Sequence, residues 1–114
     1  MGIKELIEEY QSHIIIVAFL VLAYYIYHSP VIYWFHRHGC PHCDNMRGEI
    51  DKVRKRLSII NRLTLVDTAD PKNKKLTEEF KITGVPHLVK VVDGKKYVYG
   101  GNRNAEDIME WIKE

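Results

Sequence analysis

The residues of this chain that could do chemistry lie in one short segment, Cys40-Pro41-His42-Cys43. Cys40 and Cys43 are the two cysteines of the sequence. Two thiols three residues apart can form one disulfide and open it again by thiol–disulfide exchange. The segment follows an apolar run and opens a helical pattern, the context in which a C-x-x-C motif indicates redox chemistry.

The two residues between the cysteines suit the same chemistry. The free N–H groups at a helix N-terminus favour a thiolate at Cys40. Pro41 fits the first turn of a helix, where its missing N–H costs nothing. His42, when protonated, adds positive charge or a hydrogen-bond donor near the Cys40 sulfur. A lower pKa of this thiol would stabilise the reduced form and make the disulfide a stronger oxidant.

A zinc site is the main alternative for this segment, because two cysteines and two histidines are a common zinc ligand set. The candidate ligands are His36, His38, Cys40, His42 and Cys43. The two upstream histidines lie too close to the first cysteine for the usual spacing, so we predict no metal. A structural disulfide and an iron–sulfur cluster shared by two chains are further alternatives. His36 and His38 are expected in a solvated loop.

The elements that position these residues follow from the apolar spacing. Strands are predicted over 31–35, 63–66, 87–92 and 97–99, and helices over 41–58, 74–80 and from Asn104 onward. Met46, Ile50 and Val53 should form the core face of the first of these helices. Its basic run, which includes Lys52, Arg54, Lys55 and Arg56, is expected to be a solvated face, with docking of acidic partners or anionic lipid as the alternative. The order β-α-β-α-β-β-α requires a mixed four-stranded sheet.

With these elements, residues 30–114 resemble the thioredoxin superfamily. The resemblance rests on the strand–Cys-Pro-His-Cys–helix segment, on Gly84-Val85-Pro86, and on the hairpin, the Gly100-Gly101 pair and the last helix. It implies that Cys40 is the exposed nucleophile and Cys43 the buried resolving thiol. It also implies that Pro86 is a cis-proline facing the disulfide and that the backbone of Val85 pairs with substrate. The last helix is most like protein disulfide isomerase domains, and the Cys-Pro-His-Cys motif is more like the bacterial oxidase DsbA.

The sequence departs from that family at identifiable positions. Gly39 stands where a tryptophan commonly precedes the first cysteine. Trp34 stands where the family has a buried acid that is thought to move protons for the second cysteine. The helical insertion of the DsbA family is absent, as is a strand–helix pair ahead of the first strand. The departures leave the direction of exchange open.

A membrane anchor is predicted before this domain. Every residue from Ile14 to Tyr27 is apolar or aromatic, and a helix from Tyr10 to Pro30 would be about 30 Å long, the thickness of a bilayer core. Tyr24, Tyr25 and Tyr27 cluster at one end of this helix and Tyr10 lies at the other, as at membrane interfaces. A buried core helix and a cleaved signal peptide are the alternatives, although the first ten residues are acidic, unlike a signal sequence. We therefore divide the chain into an anchor segment, 1–29, and a thioredoxin-like domain, 30–114.

The sequence as a whole predicts a single-pass, membrane-anchored thiol–disulfide oxidoreductase. A net charge of +2 argues against nucleic-acid binding. No cofactor is needed, because electrons pass to or from a partner dithiol, and the other partners are protein thiols and disulfides. The domain should face an oxidising compartment such as the periplasm, a lumen or the cell exterior, with a virion membrane as the alternative. A non-catalytic anchored scaffold with the same fold is the alternative from another functional class.

Overall fold

The computed structural model describes residues 2–57 and 62–114. Its elements are α1 (Ile3–His28), β1 (Val31–His36), α2 (Pro41–Arg56), β2 (Arg62–Asp67), a 3₁₀ turn (Pro71–Asn73), α3 (Lys74–Glu79), β3 (His87–Val92), β4 (Lys95–Val98) and α4 (Ala105–Lys113). The predicted end of the second helix at Ser58 lies outside the described residues, as does Met1 at the start of the anchor segment.

Within the described residues, the four strands form one sheet in the order β2-β1-β3-β4. Strand β1 runs parallel to β2 and antiparallel to β3, and β3 and β4 form an antiparallel hairpin. The predicted mixed sheet and the predicted order of elements are confirmed. Because β1 and β2 are parallel, the loops that follow them meet at the same edge of the sheet.

The prediction for the last strand was wrong at its boundaries. Strand β4 was expected over 97–99, and the structure places it at Lys95–Val98. Asp93 and Gly94 both have positive φ, 50° and 79°, which makes the hairpin turn two residues long. Lys95 therefore pairs directly with Val92, and the strand begins earlier than the apolar run suggests.

Two apolar clusters cover the two faces of the sheet. On one face, the predicted core positions of α2 are buried and pack with three buried residues of α4: Met46, Ile50 and Val53 with Ala105, Ile108 and Ile112. On the other face, Phe35, Val66 and Val89 form a smaller cluster. The side chains of Leu76 and Phe80, from α3 and the residue after it, pack against this second cluster. The sheet is thus covered on both sides, as a buried central strand requires.

Helix α1 lies apart from both clusters. None of its described residues is buried, and its large apolar side chains are between 38% and 79% exposed. The alternative of a core helix is therefore wrong. Its 26 residues are long and apolar enough to cross a membrane by length and composition.

Lys90, in the middle of β3, is buried, with 5% of its surface exposed. Its Nζ donates hydrogen bonds to the carbonyl oxygens of Trp111, at 2.6 Å, and Glu114, at 3.4 Å. The last carbonyl groups of a helix lack an intrahelical donor, and the negative end of the helix dipole favours a cation there. The hydrogen bonds of Lys90 therefore connect the C-terminal end of α4 to the sheet.

Lys90→Met should keep most of the buried stem and remove the ammonium group. We expect the free energy of unfolding to fall by about 1–3 kcal/mol, because the two helix carbonyls lose a charged donor. The exposed Lys95→Met on β4 is the matched control and should change it by less than about 0.5 kcal/mol. Urea denaturation in detergent micelles, followed by circular dichroism, measures both. Equal stability of the two variants would contradict this role.

Candidate active site

Helix α2 begins at the cysteine pair. Cys40 is the N-cap residue, and its Sγ accepts a hydrogen bond from the backbone N–H of Cys43, at 3.1 Å. Pro41 occupies the first turn, as predicted. Cys40 and Cys43 form a disulfide, with their Cα atoms 5.2 Å apart. The helix N-terminus therefore directs an N–H group at the sulfur that would carry negative charge on reduction.

The two cysteines differ in their surroundings. Both belong to the core cluster that also contains Trp34 and Met46, and Cys43 is fully buried in it. Cys40 is 8% exposed, so it is much less exposed than the resemblance implied, but it lines an open groove on the protein surface. Of the two cysteines, Cys40 is therefore the one that borders the groove.

The groove beside Cys40 is formed by loops from several elements. It has a volume of about 540 Å³ and is lined by Arg37, Gly39, Cys40, Pro41, Thr68, Thr77, Ile82, Thr83, Gly84 and Val85. The peptide bond between Val85 and Pro86 is cis, as the resemblance implied. The carbonyl oxygen of Val85 lies 3.9 Å from Cys40 Sγ. The structure thus brings Val85 next to Cys40 and Pro41, although Val85 follows Cys40 by 45 residues in the sequence.

The histidines of this segment do not gather around the cysteines. His38 and His42 are exposed, the latter on the first turn of α2. His36 is half-buried instead of solvated, with its ring stacked on Trp34 at a centroid distance of 4.8 Å. In the part of the chain that the structure describes, no three His, Cys, Asp or Glu side chains are placed to hold a metal ion. The geometry therefore gives the zinc alternative no support.

Two half-buried histidines flank the site at the ends of β1 and β3. Burial and the nearby charge of Arg47 hold the pKa of His36 below its ordinary value of 6.5, against the opposing charge of Asp67. Burial alone lowers the pKa of His87. The imidazoles at these positions therefore favour the neutral form.

The sequence did not predict the groove residues that come from β2, α3 and the loops after them. Thr68 follows β2 as the cysteine segment follows β1, so the parallel pairing of the two strands could have placed it at the site. Thr77, Ile82 and Thr83 come from α3 and the loop after it, and no sequence signal marked them. Arg37 is the charged residue of the lining.

Comparison with known proteins identifies the architecture. The thioredoxin family model matches residues 22–114. The chain belongs to the thioredoxin family. Protein disulfide-isomerase of Hordeum vulgare is 33% identical over 92 residues, which are 76% of this chain and 18% of that protein. Protein disulfide-isomerase A2 of Mus musculus is 30% identical over 90 residues, 75% of this chain and 17% of that protein.

Solved structures show the same thioredoxin fold. The first thioredoxin domain of mouse protein disulfide-isomerase A4 has a TM-score of 0.64 at 22% identity, covering 75% of this chain and 61% of that one. Thioredoxin of Fasciola hepatica has a TM-score of 0.63 at 20% identity, covering 83% and 88%. The chain spans less than a fifth of the length of the two disulfide isomerases. The likeness to those relatives therefore concerns one thioredoxin domain.

His36→Phe should reduce the loss of stability in acid. Unfolded His36 takes up its proton as the pH falls through about 6.5, whereas the folded protein takes it up only at lower pH, because burial lowers the pKa. The unfolded state then binds more protons, so the free energy of unfolding falls below about pH 6.5. Phenylalanine preserves the stacking on Trp34 and removes the contribution of His36 to this slope, while that of His87 remains. Urea melts between about pH 7.5 and 5 measure it.

The control for this prediction is His38→Phe, since His38 lies two residues beyond His36 and is exposed. This variant should retain the pH slope of the parent protein. If His36→Phe showed the same slope as His38→Phe, burial of His36 would not contribute to the acid sensitivity.

Proposed function

We propose that this thioredoxin-family protein is a membrane-anchored thiol–disulfide oxidoreductase that exchanges disulfides with protein substrates through Cys40 and Cys43. The observation that carries the proposal is the asymmetry of the pair. One sulfur lies on a groove at a helix N-terminus, and the other lies in the core three residues away. This arrangement separates the roles of attacking and resolving thiol.

The reaction balances without a cofactor. In the reducing direction, the Cys40 thiolate attacks a sulfur of the substrate disulfide, forms a mixed disulfide and releases one substrate thiolate, which takes up a proton. Cys43 then attacks the Cys40 sulfur, forms the Cys40–Cys43 disulfide and releases the second substrate thiol. Two electrons pass to the substrate, and a partner dithiol restores the pair. Substrate oxidation follows the same steps in reverse.

The groove residues have supporting roles in this proposal. N–H groups at the start of α2 stabilise the Cys40 thiolate, and protonated His42 adds positive charge on the same turn. The backbone of Val85, with its carbonyl 3.9 Å from Cys40 Sγ, would pair with an extended substrate segment. Pro86, held cis, and Pro41 would form the rest of the binding surface around the disulfide.

The location also belongs to the proposal. Helix α1 would cross the bilayer once, within the segment 1–29, and hold the domain 30–114 at its surface. The apolar side chains of α1 are not buried by any part of the described structure, and a lipid bilayer would bury them. The disulfide isomerase relatives favour an oxidising compartment for the domain.

Cys40→Ser should abolish turnover of insulin or a model disulfide, because the attacking sulfur is lost. Cys43→Ala should keep the attack and lose the resolution, so mixed disulfides between Cys40 and substrates should accumulate and be identifiable by mass spectrometry after acid quenching. The double variant Cys40→Ser/Cys43→Ala is the control and should trap nothing. Full turnover by Cys40→Ser would refute the mechanism.

Leu20→Arg, in the middle of the apolar run, should release the protein from membranes. Each arginine at the centre of a spanning helix costs about 2.5–3.5 kcal/mol of insertion free energy, so Val17→Arg/Leu20→Arg should be stronger still. Gln11→Arg, outside the run, is the control and should stay in the membrane pellet after carbonate extraction. If all variants sedimented alike, α1 would not be the anchor.

A further inference from the structure

The end of the domain that receives α1 is defined by direct contacts. Two residues, Ser29 and Pro30, connect α1 to β1. The His28 ring at the end of α1 lies against the turn between β3 and β4, with its Nδ1 at 2.5 Å from Oδ1 of Asp93. The start of β1 and this turn are therefore the parts of the domain nearest to the end of the helix.

The sheet topology gathers basic side chains at this end. Strand β2 begins beside the start of β1, with Arg62 paired to Val31. Helix α2 follows β1 and runs back along it, so its last turn returns to the same end. Lys95 opens β4 directly after the Asp93-Gly94 turn. We name the exposed basic residues at this end, other than Arg62, the basic end: Arg54, Lys55, Arg56 and Lys95.

The charges at the basic end are exposed and only partly balanced. All four side chains are exposed. Arg56 lies 3.4 Å from Glu106, and Asp93 faces His28. Asp51 shares a shallow surface pocket with Arg54 and Lys55. Among the described residues, these four basic groups thus meet three carboxylates, one of which is already in contact with the end of α1.

We propose that the basic end binds the anionic phospholipid headgroups of the bilayer that α1 enters. This inference rests on the anchoring part of the proposed function. The three Cα steps from His28 to Val31 span at most about 11 Å, close to the screening length of about 8 Å at physiological salt. This short connection holds the start of β1 close to the membrane surface. Basic side chains at the same end of the domain would be attracted to an anionic surface, and the attraction weakens with salt. The chemistry requires anionic lipid in the leaflet that faces the domain.

A second basic cluster provides an internal control. Lys72, Lys74 and Lys75 follow the opposite end of β2, on the side of the sheet where Cys40 lies. They are exposed lysines of the same domain, about one strand length from the basic end. A lipid contact that depends on position should affect Lys55 and Lys95 and spare these lysines.

The experiment uses the full chain in lipid nanodiscs. Lysines are acetylated with a water-soluble succinimidyl ester, and the rate at each site is read by peptide mass spectrometry. Discs of phosphatidylcholine are compared with discs that contain about 30% phosphatidylserine. In the anionic discs we expect acetylation of Lys55 and Lys95 to slow by about threefold or more relative to Lys72, Lys74 and Lys75. About 0.5 M salt should reverse the effect.

Matched variants separate binding from mere proximity. Arg54→Gln/Arg56→Gln removes two charges from the basic end and keeps both reporter lysines, so their protection in anionic discs should fall. Lys72→Gln/Lys74→Gln removes two charges from the other end and should leave that protection unchanged. An unaltered acetylation rate at Lys75 in both variants reports that the fold is intact.

The outcomes are distinguishable. Equal rates for Lys55 and Lys95 in neutral and anionic discs, or equal slowing at both ends of the domain, would overturn the lipid contact while leaving the anchor in place. Protection that survives Arg54→Gln/Arg56→Gln would also overturn it. Failure of the protein to co-purify even with neutral discs would refute the anchor itself, and this inference with it.

Discussion

Strand β1 constrains the position of nearly everything else in the domain. It is hydrogen-bonded along both edges, to β2 and to β3. It is also buried on both faces, with Trp34 in the cluster under α2 and α4 and Phe35 in the cluster near α3. A strand held in this way cannot slip without breaking two ladders and two apolar contacts. The residues at its ends are therefore fixed relative to each other, and Cys40 is presented at one of those ends.

The interior beside the disulfide differs from what the family resemblance implied. Trp34 occupies the position where that resemblance places a buried acid, and it is fully buried. Its ring stacks on His36 and lies under the guanidinium of Arg47, whose Cζ is 5.4 Å from the ring centroid. An indole at this position cannot accept a proton. Trp34 therefore cannot take the proton-accepting role that the resemblance gives to the acid at this position.

How well the sequence predicted each part follows from how local its signals are. The start of α2 was predictable because Pro41 and the apolar spacing of Met46, Ile50 and Val53 lie within one helix. The start of β4 was harder to predict, because the turn at Asp93 depends on a backbone conformation that hydropathy does not report. Val85 and Pro86 were located only through the family resemblance.

The remaining features depend on tertiary contacts. The threonines of the groove come from separate elements, and their meeting at Cys40 follows from strand pairing. Lys90 looks like a solvent-facing strand residue in the sequence, and only the approach of α4 explains its burial.

The connection between α1 and β1 is short, since it consists of Ser29 and Pro30 alone. Strand β1 is six residues, or about 20 Å, long. An anchored domain would therefore hold its disulfide at a nearly constant height above the bilayer. Under the proposed function, the protein would act as a spacer of set length and would reach the cysteines that other proteins present at that height.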